Sequence, residues 1–194
     1  VNTAQLVCLS LGSNLGDRAA ALQAAVDALA QVIRIEAISP VYETDPVGLL
    51  EQPPFLNCAL AGRSDLEPRP LLRALKAIER AQGRLPLGRR YGPRPIDIDL
   101  LFHGQQVLDA SDERPALILP HAEAHLRAFV LVPLADIAPD LRHPRLGVSV
   151  AALRDAIGQE GVRPSGVELR MPARAALDGT SADVPGGRNS AAPG

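Results

Sequence analysis

The run Arg90-Tyr91-Gly92-Pro93-Arg94-Pro95-Ile96-Asp97-Ile98-Asp99-Leu100-Leu101 constrains this chain more than any other. A strand repeats every two residues, so Asp97 and Asp99 share one face while Ile96, Ile98 and Leu100 take the other. Two residues of strand rise span roughly 6.5–7 Å. The ions of a catalytic Mg²⁺ pair sit about 3.5–4 Å apart, with oxygen ligands at about 2.1 Å. Carboxylates at this spacing can bracket such a pair. The arginines just upstream suit phosphate oxygens, which a guanidinium grips with two hydrogen bonds. The segment points to metal-assisted phosphoryl transfer. The competing reading is an edge strand carrying two solvated aspartates. That reading has to explain two mutually repelling carboxylates in a conformation they disfavour.

The 194 residues allow one domain with a sizeable core and a tail. A net charge of −2 provides no basic field for nucleic acid or an anionic membrane. No run approaches the roughly 20 apolar residues that cross a bilayer, and residues 1–5 lack the basic and apolar parts of a signal peptide. Cys8 and Cys58 both lie in apolar runs and read as buried free thiols of a reducing compartment. The expectation is a cytoplasmic monomer acting on small molecules, with no nucleic acid and no membrane as partner.

Residues 5–11 read as a first strand, broken by Gly12-Ser13-Asn14. Asp17 then opens a helix, with Leu22, Val26 and Leu29 as its apolar stripe. Residues 33–44 read as a second strand disturbed by Pro40, 45–54 as a loop and 55–61 as a third strand. Pro68 and Pro70 start a second helix that buries Leu71, Leu75 and Ile78 and stops at Gly83. A loop over 85–95 leads to a fourth strand at 96–102. The order βαββαβ predicts an α+β fold, a ferredoxin-like sheet with both helices on one face. A short strand at 105–108 and helical additions at 121–137 and 148–157 follow, the first interrupted by Pro133. Residues 1–160 are expected to form the domain and 161–194 an extension. From about residue 173 the extension is too poor in bulky apolar residues to order.

Five segments, in this order, resemble the 6-hydroxymethyl-7,8-dihydropterin pyrophosphokinase family of folate biosynthesis. They are Leu9-Ser10-Leu11-Gly12-Ser13-Asn14-Leu15-Gly16-Asp17, Ser39-Pro40-Val41-Tyr42-Glu43-Thr44-Asp45-Pro46-Val47-Gly48, Gln52-Pro53-Pro54-Phe55-Leu56-Asn57, the run from Arg90 to Leu101, and Leu119-Pro120-His121 with Arg127-Ala128-Phe129-Val130-Leu131 and Pro133-Leu134. The resemblance covers roughly residues 5 to 160. It implies transfer of a pyrophosphoryl group from ATP to the pterin's hydroxymethyl oxygen, with release of AMP and the use of two Mg²⁺ ions.

The resemblance also implies roles. Asp97 and Asp99 would bind the metal ions, and with Arg84 and Arg94 they would form the catalytic set. Arg84, Arg90, Arg94, His121 and Arg127 would hold ATP. Thr44, Asp45, Val47, Phe55, Asn57, Asp97 and Phe129 would line the pterin side, with Phe55 and Phe129 sandwiching its flat ring. Asn57 can meet both donors and acceptors on the pterin edge. Glu79 and Gln82 fall near the nucleotide by family position, yet as helical i, i+3 polar residues they read as a solvated face. His121 and His125, four apart, are a weak zinc pattern without the metalloprotease order. The chain departs from the family at Tyr91, where a Trp is frequent, at Pro86, where a basic residue is frequent, and at Ala122, where an aromatic is frequent. These bear on loop closure and nucleotide affinity.

Two other classes compete. A polymerase-β-type nucleotidyltransferase also joins a Gly-Ser turn to an Asp-x-Asp strand, but there the two lie close in sequence. A non-catalytic ferredoxin-like ligand-binding module would need neither Asp97 nor Asp99. The chain has no Walker A segment and no Gly-x-Gly-x-x-Gly, so P-loop and dinucleotide-binding readings have no support.

Overall fold

The computed structural model describes residues 4–48, 51–84 and 92–172. Strand β1 (Gln5–Ser13) pairs antiparallel with β4 (Phe55–Ser64) on one side and β5 (Asp97–His103) on the other. From Val7 to Ser13 every residue is buried, because both faces of this central strand are covered. Outward from β4 lie β2 (Arg34–Ile38) and β3 (Tyr42–Thr44), and β8 (Val162–Pro164) pairs with β3 at the far edge. The strand expected over 33–44 is thus two short ones. Pro40, which has no N–H for a ladder, falls in the break. Ser39 repairs the gap, its Oγ accepting from the Ala59 N–H at 2.9 Å.

One face of the sheet carries α1 (Arg18–Leu29) and α2 (Pro68–Ala81). Asp17 caps the first, its Oδ1 accepting from the Ala20 N–H at 3.0 Å. The second begins on Pro68, where a missing N–H does no harm. It is followed by Gly83 at φ 87°, a conformation other residues adopt only under strain. Leu22, Val26, Leu29, Leu71 and Leu75 pack against Val7, Leu9, Leu11, Ile98 and Leu100. Each such burial contributes about 1.5–3 kcal/mol. The opposite face presents Cys8, Ala59, Ala61, Leu101 and Phe102 to α3 (Ala128–Ile137) and α4 (Val150–Ile157). Cys8 and Cys58 are free and buried, and burial pushes each thiol up to about 12. The result is a mixed α+β architecture with an antiparallel sheet and four helices.

Several expectations need correction. The helix foreseen from residue 121 begins only at Ala128, after a 3-10 turn over Ala124–Leu126, and it runs on through Pro133. The strand foreseen at 105–108 lies at β6 (Leu108–Ala110) and pairs with an unforeseen β7 (Leu117–Leu119). Strand β8 was also unforeseen. The tail from residue 173 lies outside the described residues. No helix among the described residues is long and apolar enough to cross a membrane.

Candidate active site

Strand register builds the floor of a cavity. Gly12 on β1 stands opposite Asp97 on one side and Asn57 on the other, and Ser10 stands opposite Asp99. A Cβ at Gly12 would lie 2.5 Å from Asn57 Oδ1, so a side chain there would force the Asn57 amide to shift. The cavity encloses about 220 Å³ and gathers Thr44, Asp45, Val47, Phe55, Asn57, Arg84, Arg94, Asp97, Asp99, His121, Arg127 and Phe129. These are all the expected site residues except Arg90, which lies outside the described residues. Ser10, Gly12 and Gln52 complete the lining.

The charged end is compact. Asp97 pairs with Arg84 through Oδ1 and with Arg94 Nη1 through Oδ2, the latter at 2.6 Å. Burial works to raise its carboxyl, but Arg84, Arg94 and Lys76 outweigh burial and hold it below the usual carboxylate range. Asp99 moves the other way. Burial and then the charge of Asp97 push it up, against the pull of His121, Lys76 and Arg127. Burial lowers His121, with Asp99 opposing. The His121 N–H is anchored on the Leu101 carbonyl at 3.0 Å. Although β5 is an edge strand, the side chain of Asp97 is only 21% exposed, so the solvated-aspartate reading fails.

Among the described residues no group of three or more His, Cys, Asp or Glu converges as a metal cage. Two carboxylates completed by phosphate oxygens and water are the usual donor set for Mg²⁺, and the Asp97–Asp99 pair fits it. His125 packs edge-on against His143, with ring centroids 5.5 Å apart.

The other end is aromatic and amide-lined. The Arg94 guanidinium lies 5.9 Å from the Phe55 ring centroid, and that of Arg127 lies 5.5 Å from the Phe129 centroid. Phe129 also touches the second core cluster. Asn57 Nδ2 donates to Thr44 Oγ1 at 2.6 Å, which fixes the amide plane. Asp45 turns its carboxylate outward to Arg163 at 2.6 Å, and that hydrogen bond lowers its pKa.

Two buried positions that tie the cavity's segments together were not among the expected site residues. Asn14 is buried and ties three segments together. Its Nδ2 donates to Gln52 Oε1 at 3.0 Å and the Pro53 carbonyl at 3.1 Å, and its Oδ1 accepts from the Arg94 N–H at 2.9 Å. The Gly-Ser-Asn triplet was its only signal. Glu79, read as solvated, is 2% exposed and bonds Lys76, Arg84 and the Ile98 N–H.

The sequence profile of the family described as 7,8-dihydro-6-hydroxymethylpterin-pyrophosphokinase (HPPK) matches residues 8–139. A 2-amino-4-hydroxy-6-hydroxymethyldihydropteridine pyrophosphokinase of Pseudomonas aeruginosa is 47% identical over 142 residues, 72% of this chain and 85% of that one. One from Methylorubrum extorquens is 48% identical over 163 residues, 82% of this chain and 95% of its own. The fold is similar to the crystal structure of wild-type Plasmodium falciparum HPPK-DHPS with pterin and p-hydroxybenzoate. The TM-score is 0.63 at 18% identity, over 80% of this chain; this chain spans 43% of that longer one. The chain belongs to the 7,8-dihydro-6-hydroxymethylpterin-pyrophosphokinase family.

Proposed function

We propose that the cavity binds ATP at its charged end and 6-hydroxymethyl-7,8-dihydropterin at its aromatic end, and joins them by direct transfer. The activity of this chain is that of its family, pyrophosphoryl transfer to the pterin in folate biosynthesis. The observation that carries the residue-level reading is a single cavity with two chemistries. Arginines and paired carboxylates sit at one end; phenyl rings and a fixed amide sit at the other. The strand order β5-β1-β4 and then β2/β3 supports the ferredoxin-like βαββαβ reading, in which both ends lie on one sheet face.

In the transfer the pterin hydroxymethyl oxygen attacks the β-phosphorus and gives up its proton to solvent. The bond from that phosphorus to the oxygen shared with the α-phosphate breaks, and AMP leaves. Such chemistry asks mainly for positioning and charge stabilisation. Arg84 and Arg94 now neutralise Asp97. When triphosphate enters they can turn to its oxygens and release Asp97 to face a cation. His121 and Arg127 would hold the remaining phosphate oxygens. Two Mg²⁺ ions, held by Asp97 and Asp99 together with the phosphates, would offset the charge that develops there. Phe55 and Phe129 would stack the pterin. Asn57, with Thr44, Asp45 and Val47 beside it, would read the pterin edge, and Asp97 would lie next to the reacting hydroxymethyl group. The chain would act as a monomer.

Product analysis tests this reading. With ATP, Mg²⁺ and hydroxymethyldihydropterin, AMP and a pterin diphosphate should appear in equal amounts. Release of inorganic pyrophosphate would instead mean nucleotidyl transfer. Binding without turnover would leave only a ligand-binding module.

A further inference from the structure

We propose that Glu79 is a positioning residue for the transfer, holding Arg84 and the peptide unit between Asp97 and Asp99 through one buried carboxylate oxygen. The inference rests on the residue roles proposed above. Three donors converge on Glu79 Oε1. They are Lys76 Nζ at 2.8 Å, Arg84 Nη1 at 2.5 Å and the Ile98 N–H at 2.7 Å.

The third donor is the informative one. Among the described residues, strand β5 lies at the edge of the sheet and pairs there with β1 alone. Its backbone groups that face away from β1 need partners from elsewhere. Glu79 accepts the N–H of Ile98, and Lys76, one helical turn earlier, donates to the Ile98 carbonyl at 3.3 Å. Helix α2 therefore grips both polar groups of the residue that separates the two aspartates. An edge strand held on one side only can twist, and any twist at Ile98 would change the spacing of Asp97 and Asp99. Arg84 adds a second link, because it contacts Glu79 and Asp97 at once. A carboxylate buried to this degree is expensive unless its lone pairs are filled by strong donors. Here all three donors lead to the site or to the strand that carries it.

The competing explanation is a staple that only joins α2 to the sheet. Glu79→Gln separates the two. The amide keeps the shape and one acceptor oxygen but loses the charge that orders Arg84. Measured per folded enzyme, well below its melting temperature, kcat should fall about 10–100-fold, the size expected when a group supporting metal ligands is removed. The half-saturating Mg²⁺ concentration should rise several-fold, and the pterin KM should stay within about threefold. In the double variant with Arg84→Ala, the combined loss should be smaller than the product of the single losses, since both act on Asp97. If Glu79→Gln does not fold, Glu79→Asp carries the same test, because it keeps the charge but shortens the reach by one methylene. A lower melting temperature with kcat and Mg²⁺ requirement unchanged would overturn the proposal. If the wild-type protein releases no AMP, the functional reading fails. If it does and Glu79→Gln matches it, only the role of Glu79 fails.

Discussion

At the charged end of the cavity, Glu79, Arg84, Arg94, Asp97 and Asp99 come from one helix, the loop after it and one strand. At the aromatic end, the wall is closed by partners far apart in the chain, and Asp45 and Arg163 are 118 positions apart. The charged end is largely buried, with side-chain exposures of 3% for Glu79, 28% for Arg84 and 21% for Asp97. The Arg163–Asp45 pair is open to solvent, at 52% and 60%. Buried charges are strongly coupled and costly to leave unpaired, whereas exposed pairs are screened. The difference teaches where this enzyme is sensitive. On the proposed assignment, chemistry depends on a few interlocked charges, while pterin recognition depends on shape and backbone placement.

The contrast is sharpest for the paired carboxylates. Asp97→Ala or Asp99→Ala should lower kcat by about 100–1,000-fold, on the scale of losing one preorganised charge-stabilising group. Turnover within a few-fold of wild type at saturating Mg²⁺ would break the two-metal reading. Next in size is the pterin stack. Phe129→Ala should weaken pterin binding by about 1–3 kcal/mol through lost burial and stacking. ATP affinity, read by calorimetric titration, should barely move. An equal loss for ATP would make Phe129 a core residue first, as its contact with the second cluster allows.

The charged end was legible because a two-residue period leaves little freedom. Once Ile96, Ile98 and Leu100 face the core, Asp97 and Asp99 must share the other face. The same logic hid Glu79. Helical period places it on the polar side of α2, and nothing in the sequence says that an edge strand will lie against that side. The break at Pro40 was legible from the missing N–H. The passage of α3 through Pro133 was not, because packing of Val130, Leu131 and Leu134 on the sheet outweighs one absent hydrogen bond. Strand β8 is three residues long with a single apolar residue, Val162, so its pairing comes from tertiary contact rather than from pattern. The wall of the aromatic end was therefore read from its near side only.

The two aspartates themselves should respond oppositely to neutralisation, which tests whether the charged end is interlocked. Asp99 has a raised pKa in the folded protein, so the native state binds more protons than the unfolded chain between the ordinary carboxylate value and the raised one. Stability then falls as pH rises through that window. Asp97 has a lowered pKa, so its contribution is present above the ordinary value and is lost as pH falls through the lowered one. At pH 7 without divalent cations, Asp99→Asn should raise Tm by about 2–4 °C, the response to about 1 kcal/mol in a chain of this length. Asp97→Asn should lower it. Both differences should shrink in acid, Asp99→Asn losing its advantage first. Calorimetry across pH 4–8 would show whether the signs differ, and equal signs would mean the two carboxylates are not distinguished by their neighbours.

The smallest effect should come from Arg163. Its bond to Asp45 is exposed, and other contacts hold the same loop. The Asp45 N–H donates to the Gly161 carbonyl at 3.0 Å, the Ser165 Oγ donates to the Val41 carbonyl at 2.7 Å, and β3 pairs with β8 through Tyr42, Glu43 and Thr44. Removing one screened ion pair from such a set leaves the backbone in place. Arg163→Ala should raise the pterin KM by less than about threefold and leave the ATP KM unchanged, as for other exposed pairs. The difference should vanish in about 1 M salt, where charges are screened beyond about 3 Å. Gly161→Val should do more. It places a branched side chain at φ 72°, with its Cβ 3.1 Å from Asp45 Oδ2, and so displaces the Asp45 backbone proposed to meet the pterin edge. If Arg163→Ala raises the pterin KM more than Gly161→Val does, charge rather than strand pairing holds this wall, and the two ends of the cavity are more alike than their burial implies.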